Sequence, residues 1–269
     1  MSIQLHNVTA GYDGFKLSPI SLELERGSLC ALIGPNGCGK STLLKTIARV
    51  LQPLSGEITV GGLNSKTCGS KALARTLSFQ PQHPVVPPAI TVEQLVGYGR
   101  APHQSLFGIA SKADKEAVQA AMAQVGLSAF ADRRLSALSG GQRQRAFIAM
   151  SLAQEAPYIL LDEPTAFLDV KYQFETLDLL QHLHDLGRTC IVVLHDIAQA
   201  ARYADDLVIM REGQVYAQGA PKDVVSEEML HNVYGVNAQI YADPESGTPA
   251  LSPRVKRAEA QKPLSLAAE

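Results

Sequence analysis

Apolar and polar side chains alternate through residues 3–9 and again through 17–25, the period of strands with one buried face. The stretch Ala10-Gly11-Tyr12-Asp13-Gly14 between them reads as a turn. Leu29–Ile33 breaks the alternation with an unbroken apolar run, the pattern of a strand covered on both faces. A Gly-rich stretch follows it, and a helix is predicted to begin near Lys40. Residues 89–154 have another character: Ala117, Val118, Ala121, Met122 and Val125 recur at helical spacing over 114–125, and a further helix is predicted over 143–154. Strands at 157–161, 189–194 and 205–210 then alternate with helices at 171–186 and 196–203, which predicts a largely parallel sheet. No internal repeat is visible. The pattern therefore gives one α/β domain over 1–248, its core split between about 1–88 and 155–248, with a helical subdomain at about 89–154. Residues 243–249 read as successive turns, and 249–269, poor in apolar residues, as a tail mobile at its end.

Composition narrows this little. The chain has 269 residues, 46% hydrophobic, enough for one domain with a substantial core. A net charge of −2 gives no basic excess for nucleic acid. No apolar run reaches the roughly 18 residues of a membrane span, and the first residues lack the pattern of a secretory signal, so a cytosolic chain is expected. Cys30, Cys38, Cys68 and Cys190 have no metal-ligand spacing; Cys30 and Cys190 read as small buried hydrophobes, and Cys38 as a small side chain inside the Gly-rich loop.

That loop, Gly34-Pro35-Asn36-Gly37-Cys38-Gly39-Lys40-Ser41, has the form of a phosphate-binding loop between a strand and a helix. Its N–H groups suit the β- and γ-phosphates of a nucleoside triphosphate, Lys40 suits their oxygens, and Ser41 suits Mg²⁺. Thr42, next on the helix, belongs with them. Ile159-Leu160-Leu161-Asp162-Glu163 is an apolar strand ending in two acids. A lone carboxylate at Asp162 is costly there without a cation, and Mg²⁺, reached through a water, is the natural partner. Glu163, pointing the other way on the strand, is placed to polarise an attacking water. Between loop and acids lies Leu138-Ser139-Gly140-Gly141-Gln142, a hydroxyl and two glycines before a helix N-terminus, again suited to anionic oxygens.

These three motifs in this order resemble the ATP-binding cassette ATPases. The resemblance implies a P-loop NTPase core with a parallel sheet, an N-terminal antiparallel β portion and an inserted α-helical subdomain. It implies Mg²⁺ with ATP, and hydrolysis in a head-to-tail dimer in which Leu138, Ser139, Gly140, Gly141 and Gln142 act in trans on the partner's nucleotide. Asp169, in the loop Ala166-Phe167-Leu168-Asp169, would lie near the partner's phosphate loop. Tyr12 matches the aromatic that stacks on adenine, and His195, after the strand ending at Leu194, the histidine at the γ-phosphate. The magnesium-sensing glutamine is Gln82, preceded by Pro81, with Gln80 the alternative. His182 and His184, on one predicted helix, do not share a face and make no metal pair.

A narrower resemblance, to ferric-siderophore import ATPases, spans residues 98–103, 195–205, 213–219 and 243–249; vitamin B12 and haem import ATPases share much of it. It implies a peripheral subunit on the cytoplasmic face of a bacterial inner membrane, bound to a transmembrane permease and served by an external siderophore-binding protein. A coupling helix of the permease would enter near Gln82 and 83–100, a segment stiffened by Pro84, Pro87 and Pro88. The iron complex would not touch this chain. A soluble cassette ATPase acting on ribosomes or DNA is the remote alternative. Such chains usually carry two cassettes or a long coiled-coil insertion, and this one carries neither.

Overall fold

In a computed structural model, which describes residues 2–85, 87, 89–104 and 109–254, the alternation at the N-terminus becomes β1 (Ile3–Thr9) and β4 (Ile20–Leu24). Between them a small hairpin, β2 (Gly11–Tyr12) and β3 (Phe15–Lys16), turns at Asp13-Gly14, so the second strand starts later than its alternation predicts. The apolar run is β5 (Leu29–Ile33), buried throughout. It leads to α1 (Lys40–Ile47), β6 (Ser55–Val60), β7 (Leu63–Asn64), α2 (Ser70–Thr76) and β8 (Leu77–Gln80). The helical region contains α3 (Val92–Tyr98), α4 (Lys112–Gln124) and α5 (Gly140–Ala153). The remainder runs β9 (Tyr158–Leu161), α6 (Val170–Asp185), β10 (Thr189–Val193), α7 (Ile197–Tyr203), β11 (Asp206–Arg211), β12 (Gln214–Gly219), β13 (Ala238–Ala242) and β14 (Pro249–Pro253).

One sheet has the order β12-β11-β5-β10-β9-β8, parallel except for β12 at its edge; a second, antiparallel, has the order β4-β1-β6-β7. The two-residue period of the central strands divides the interior. Leu29, Ala31 and Ile33 of β5, with Cys190 and Val192 of β10, join the helices in one core. Cys30 and Leu32, with Ile191 and Val193, enter the other, between the sheets and α1. Cys30 and Cys190 are fully buried, which pushes the Cys190 thiol up to about 12 and raises Cys30 as well.

Helices α3, α4 and α5 pack on one another around Arg100. Its guanidinium is buried, with Nε 2.9 Å from Asp114 Oδ1 and a second nitrogen 2.6 Å from both Glu155 Oε2 and the Ala153 carbonyl. Helix α4 starts at Lys112 because Ser111 caps it, and the Ser111 N–H, with Arg100, holds the Asp114 carboxyl at about 2. Arg100→Met leaves Asp114 buried without its cation and is expected to cost about 3–5 kcal/mol in urea unfolding at neutral pH. A depressed carboxyl stabilises the fold above its ordinary range and stops doing so as pH falls toward its folded value. The deficit of the variant should therefore shrink between about pH 4 and about pH 2; a deficit independent of pH would remove Asp114 from this account.

The C-terminal side departs from expectation. Pro249–Pro253, placed by the sequence in the tail, pairs antiparallel with β13 from Ala238↔Pro253 to Ala242↔Pro249. Asp243 builds the turn, its Oδ1 accepting from the Glu245 and Ser246 N–H groups. Prolines at both ends hid a strand whose middle residues, Ala250, Leu251 and Ser252, do not alternate; Pro is tolerated at such margins. Of the predicted tail, 255–269 lies outside the described residues, as do Val86 and Pro88 within the predicted contact segment 83–100.

Candidate nucleotide site

The phosphate loop joins the end of β5 to the start of α1. Gly34 has φ 148°, and a Cβ there would run into the Met210 carbonyl oxygen; Gly39, φ 106°, caps α1 in the left-handed region. Lys40 is buried, and its Nζ donates to the carbonyls of Gly34 at 2.7 Å and Pro35 at 3.1 Å. Ser41 Oγ donates to Asp162 Oδ1 at 2.8 Å. Asp162, directly after β9, is 2% exposed; burial raises its carboxyl, and the bond from Ser41 opposes that rise. A hydroxyl and a carboxylate, both hard oxygen donors, fit Mg²⁺.

Glu163 is turned by its backbone rather than by strand alternation: β9 ends at Leu161, and Glu163 has φ 53°. One of its carboxylate oxygens lies 2.8 Å from His195 Nε2, and the other accepts from Gln82 Nε2. The three side chains come from the ends of neighbouring parallel strands, β8, β9 and β10, the edge at which open α/β sheets bind ligands. Gln82 thus stands on Glu163 rather than on the Ser41–Asp162 pair. Gln80 is a buried residue of β8 opposite Leu161, its carbonyl accepting from the Asp162 N–H at 3.0 Å.

The remaining candidates lie apart from this cluster. Tyr12 is 54% exposed on the β2–β3 hairpin. Ser139 is the N-cap of α5: its Oγ accepts from the Gln142 N–H, and the Gln142 side chain accepts from the Ser139 N–H. This capping box starts the helix at Gly140, so Gly140, Gly141 and Gln142 form its first turn instead of preceding a helix at 143. Gly141 packs on the Tyr172 ring, where a Cβ would not fit, while Ser139 and Gly140 are exposed after the buried Leu138. Asp169 caps α6, its Oδ1 accepting from the Tyr172 N–H at 3.0 Å. His184 pairs with Asp205 at 3.1 Å, away from the site.

Phe167 is named by the sequence only as part of the loop before Asp169, with no role of its own. It is 88% exposed with φ 61°, an aromatic held out in a left-handed conformation, and its ring centroid lies 6.0 Å from that of His83. It borders a cavity of about 500 Å³ with Gln82, Pro84, Gly140, Arg143 and Phe147, between the core and the helical subdomain. A bulky apolar residue in a loop between two motifs was the available signal.

The chain is similar to known proteins over most of its length. Residues 17–166 match the family model for the ABC transporter. The ferric enterobactin transport ATP-binding protein FepC of Escherichia coli (strain K12) is 45% identical over 248 residues, 91% of this chain and 92% of that protein. An inward-facing ABC transporter assigned to the metal-chelate type superposes with a TM-score of 0.83 at 28% identity, covering 95% of this chain and 98% of that one. The ATP-binding cassette MJ0796, dimeric in a post-hydrolysis state with ADP and Pi, gives a TM-score of 0.71 at 28% identity over 81% of this chain and 98% of that one.

Proposed function

This chain belongs to the ATP-binding cassette transporter family, and from that premise we propose that it is the ATP-hydrolysing subunit of an importer for iron(III)–siderophore complexes. The observation that carries the reading is the double hold on Glu163, by His195 and Gln82, beside the Ser41–Asp162 pair. The substrate class rests on likeness to the ferric enterobactin protein over nearly the whole chain.

In the mechanism, the loop 34–41 and Thr42 bind the phosphates of ATP, and Tyr12 stacks on the adenine. Lys40 turns from the Gly34 and Pro35 carbonyls to the β- and γ-oxygens. Ser41 and Asp162 would hold Mg²⁺, which when bound neutralises charge on the phosphates. Glu163, with both oxygens fixed, takes a proton from the attacking water as that oxygen bonds to the γ-phosphorus. The bond to the β-phosphate bridging oxygen breaks, and ADP leaves with its electron pair. His195 and Gln82 keep the carboxylate aimed throughout. Ser139, Gly140, Gly141 and Gln142 of a second copy complete the site from the other side, with Leu138 anchoring that turn and Asp169 lying along the interface.

The chain acts as one ATPase domain with its helical subdomain inserted at about 89–154. Among the described residues no helix is long and apolar enough to cross a membrane, and we place the subunit peripherally, on the cytoplasmic face of the inner membrane against permease subunits. The cavity beside Gln82 and Phe147 receives the permease's coupling helix, and an external binding protein delivers the iron complex.

The test is transport. Cells lacking the chain should lose uptake of radiolabelled iron supplied as one ferric siderophore and regain it with the wild-type chain alone. Loss of vitamin B12 or haem uptake instead, with every siderophore unaffected, would overturn the substrate class.

A further inference from the structure

Between β9 and α6 the chain turns sharply, and two residues of the turn are left-handed. Glu163 has φ 53° and Phe167 φ 61°, and between them the Ala166 N–H donates to the Glu163 carbonyl at 3.1 Å. A bulky side chain in that conformation is strained, and such strain gathers at functional sites. The site described above accounts for Glu163. It does not account for Phe167, whose ring is 88% exposed, so burial does not offset the strain.

The two left-handed residues meet two consecutive residues of the segment that follows β8. Glu163 accepts from Gln82 Nε2, and the Phe167 ring lies 6.0 Å from the His83 ring, centroid to centroid, tilted by 31°. That spacing is within the range of attractive aromatic pairs. The segment needs such a hold. Its last tie to the sheet is the Gln80 carbonyl, which accepts from the Asp162 N–H at 3.0 Å. Among the described residues, 81–85 make no backbone hydrogen bond, and Val85 is 98% exposed. Gln82 therefore stays against Glu163 through its own hydrogen bond and through whatever fixes the residue beside it.

We propose that Phe167 is a positioning residue for hydrolysis: its ring holds His83 and thereby keeps Gln82 on the Glu163 carboxylate. The inference rests on the ATPase reading above. Without the ring, His195 alone holds Glu163 firmly, and the carboxylate loses its aim at the attacking water. Lys40 and the Ser41–Asp162 pair make their bonds elsewhere, so the chemical step suffers while ATP binding is spared.

The experiment compares the full wild-type chain with Phe167→Ala, His83→Ala, the double variant and Phe167→Tyr, by steady-state ATP hydrolysis and calorimetric titration with Mg-ATP. Phe167→Ala and His83→Ala should each lower kcat by about two- to tenfold, the range of one aromatic pair. The double variant should fall no further than either alone, because both remove the same contact. Phe167→Tyr keeps the ring and should match wild type. The Kd for Mg-ATP should stay within about twofold in every variant. The thermal midpoint of Phe167→Ala should not fall, since the ring is exposed. An unchanged kcat in Phe167→Ala, or losses that multiply in the double variant, would overturn the inference and leave the ATPase reading intact. A kcat loss with a lowered midpoint would make the ring merely structural and overturn it too. So would loss of the Mg-ATP dimer when Phe167→Ala is added to Glu163→Gln, which would assign the ring to contact with a second copy. A wild-type chain that neither bound nor hydrolysed Mg-ATP would bring down the ATPase reading, and this inference with it.

Discussion

Glu163→Gln is expected to bind ATP with near wild-type affinity and to lose steady-state turnover by about 10²–10⁴-fold, the contribution of a positioned general base. The replacement keeps the shape of the side chain and removes its basicity. A carboxylate only accepts hydrogen bonds, and here each oxygen faces a nitrogen, His195 Nε2 on one side and Gln82 Nε2 on the other. A glutamine amide presents one oxygen and one NH₂, so its oxygen can still accept from Gln82 while its NH₂ donates to a neutral His195 Nε2. Lys40, Ser41 and Asp162 do not depend on Glu163 for their bonds, which is why binding survives. Turnover above about a tenth of wild type would remove Glu163 from the base role, given the magnitude expected of such a group.

Ser139→Arg should likewise bind ATP and yet lose about 10²–10³ in kcat, the scale of removing a preorganised contact to a reacting oxyanion. Ser139 is exposed at the start of a 14-residue helix, and its hydroxyl caps that helix by accepting from the Gln142 N–H. Losing the cap costs about 1 kcal/mol, too little to unfold the domain. The phosphate loop, on a different element, keeps its nucleotide. What the variant lacks is a surface able to close on the nucleotide of a second copy. Wild-type turnover in Ser139→Arg would mean that each copy hydrolyses ATP alone.

Much of this site was legible because its chemistry is local in sequence. The apolar run Leu29–Ile33, the glycines after it and Lys40 fix strand, loop and helix within a dozen neighbouring positions. The apolar run before Asp162 marked it as a buried carboxylate, and it is buried, accepting a hydrogen bond from Ser41. Local reading erred where a cap or a long-range pairing decides the boundary. Ser139 and Gln142 cap each other, which moves the start of α5 forward to Gly140. Residues from 249 onward read as a tail poor in apolar residues, but pairing with β13 makes Pro249–Pro253 a strand.

Other features are set by the tertiary fold and leave no periodic trace. Glu163 reaches His195 and Gln82 because its backbone turns left-handed, which no alternation of side chains foretells. Phe167 stands exposed for the same reason. The Arg100 cluster joins residues from three parts of the sequence, and only the folded helices place Asp114 and Glu155 on one guanidinium.

If two copies of this chain close around ATP, the solution mass of Glu163→Gln, read by light scattering with and without Mg-ATP, reports it. One copy is expected without nucleotide and two with it, and one copy in both conditions when Ser139→Arg is added. A Glu163→Gln chain that binds ATP and keeps the mass of one copy would contradict it.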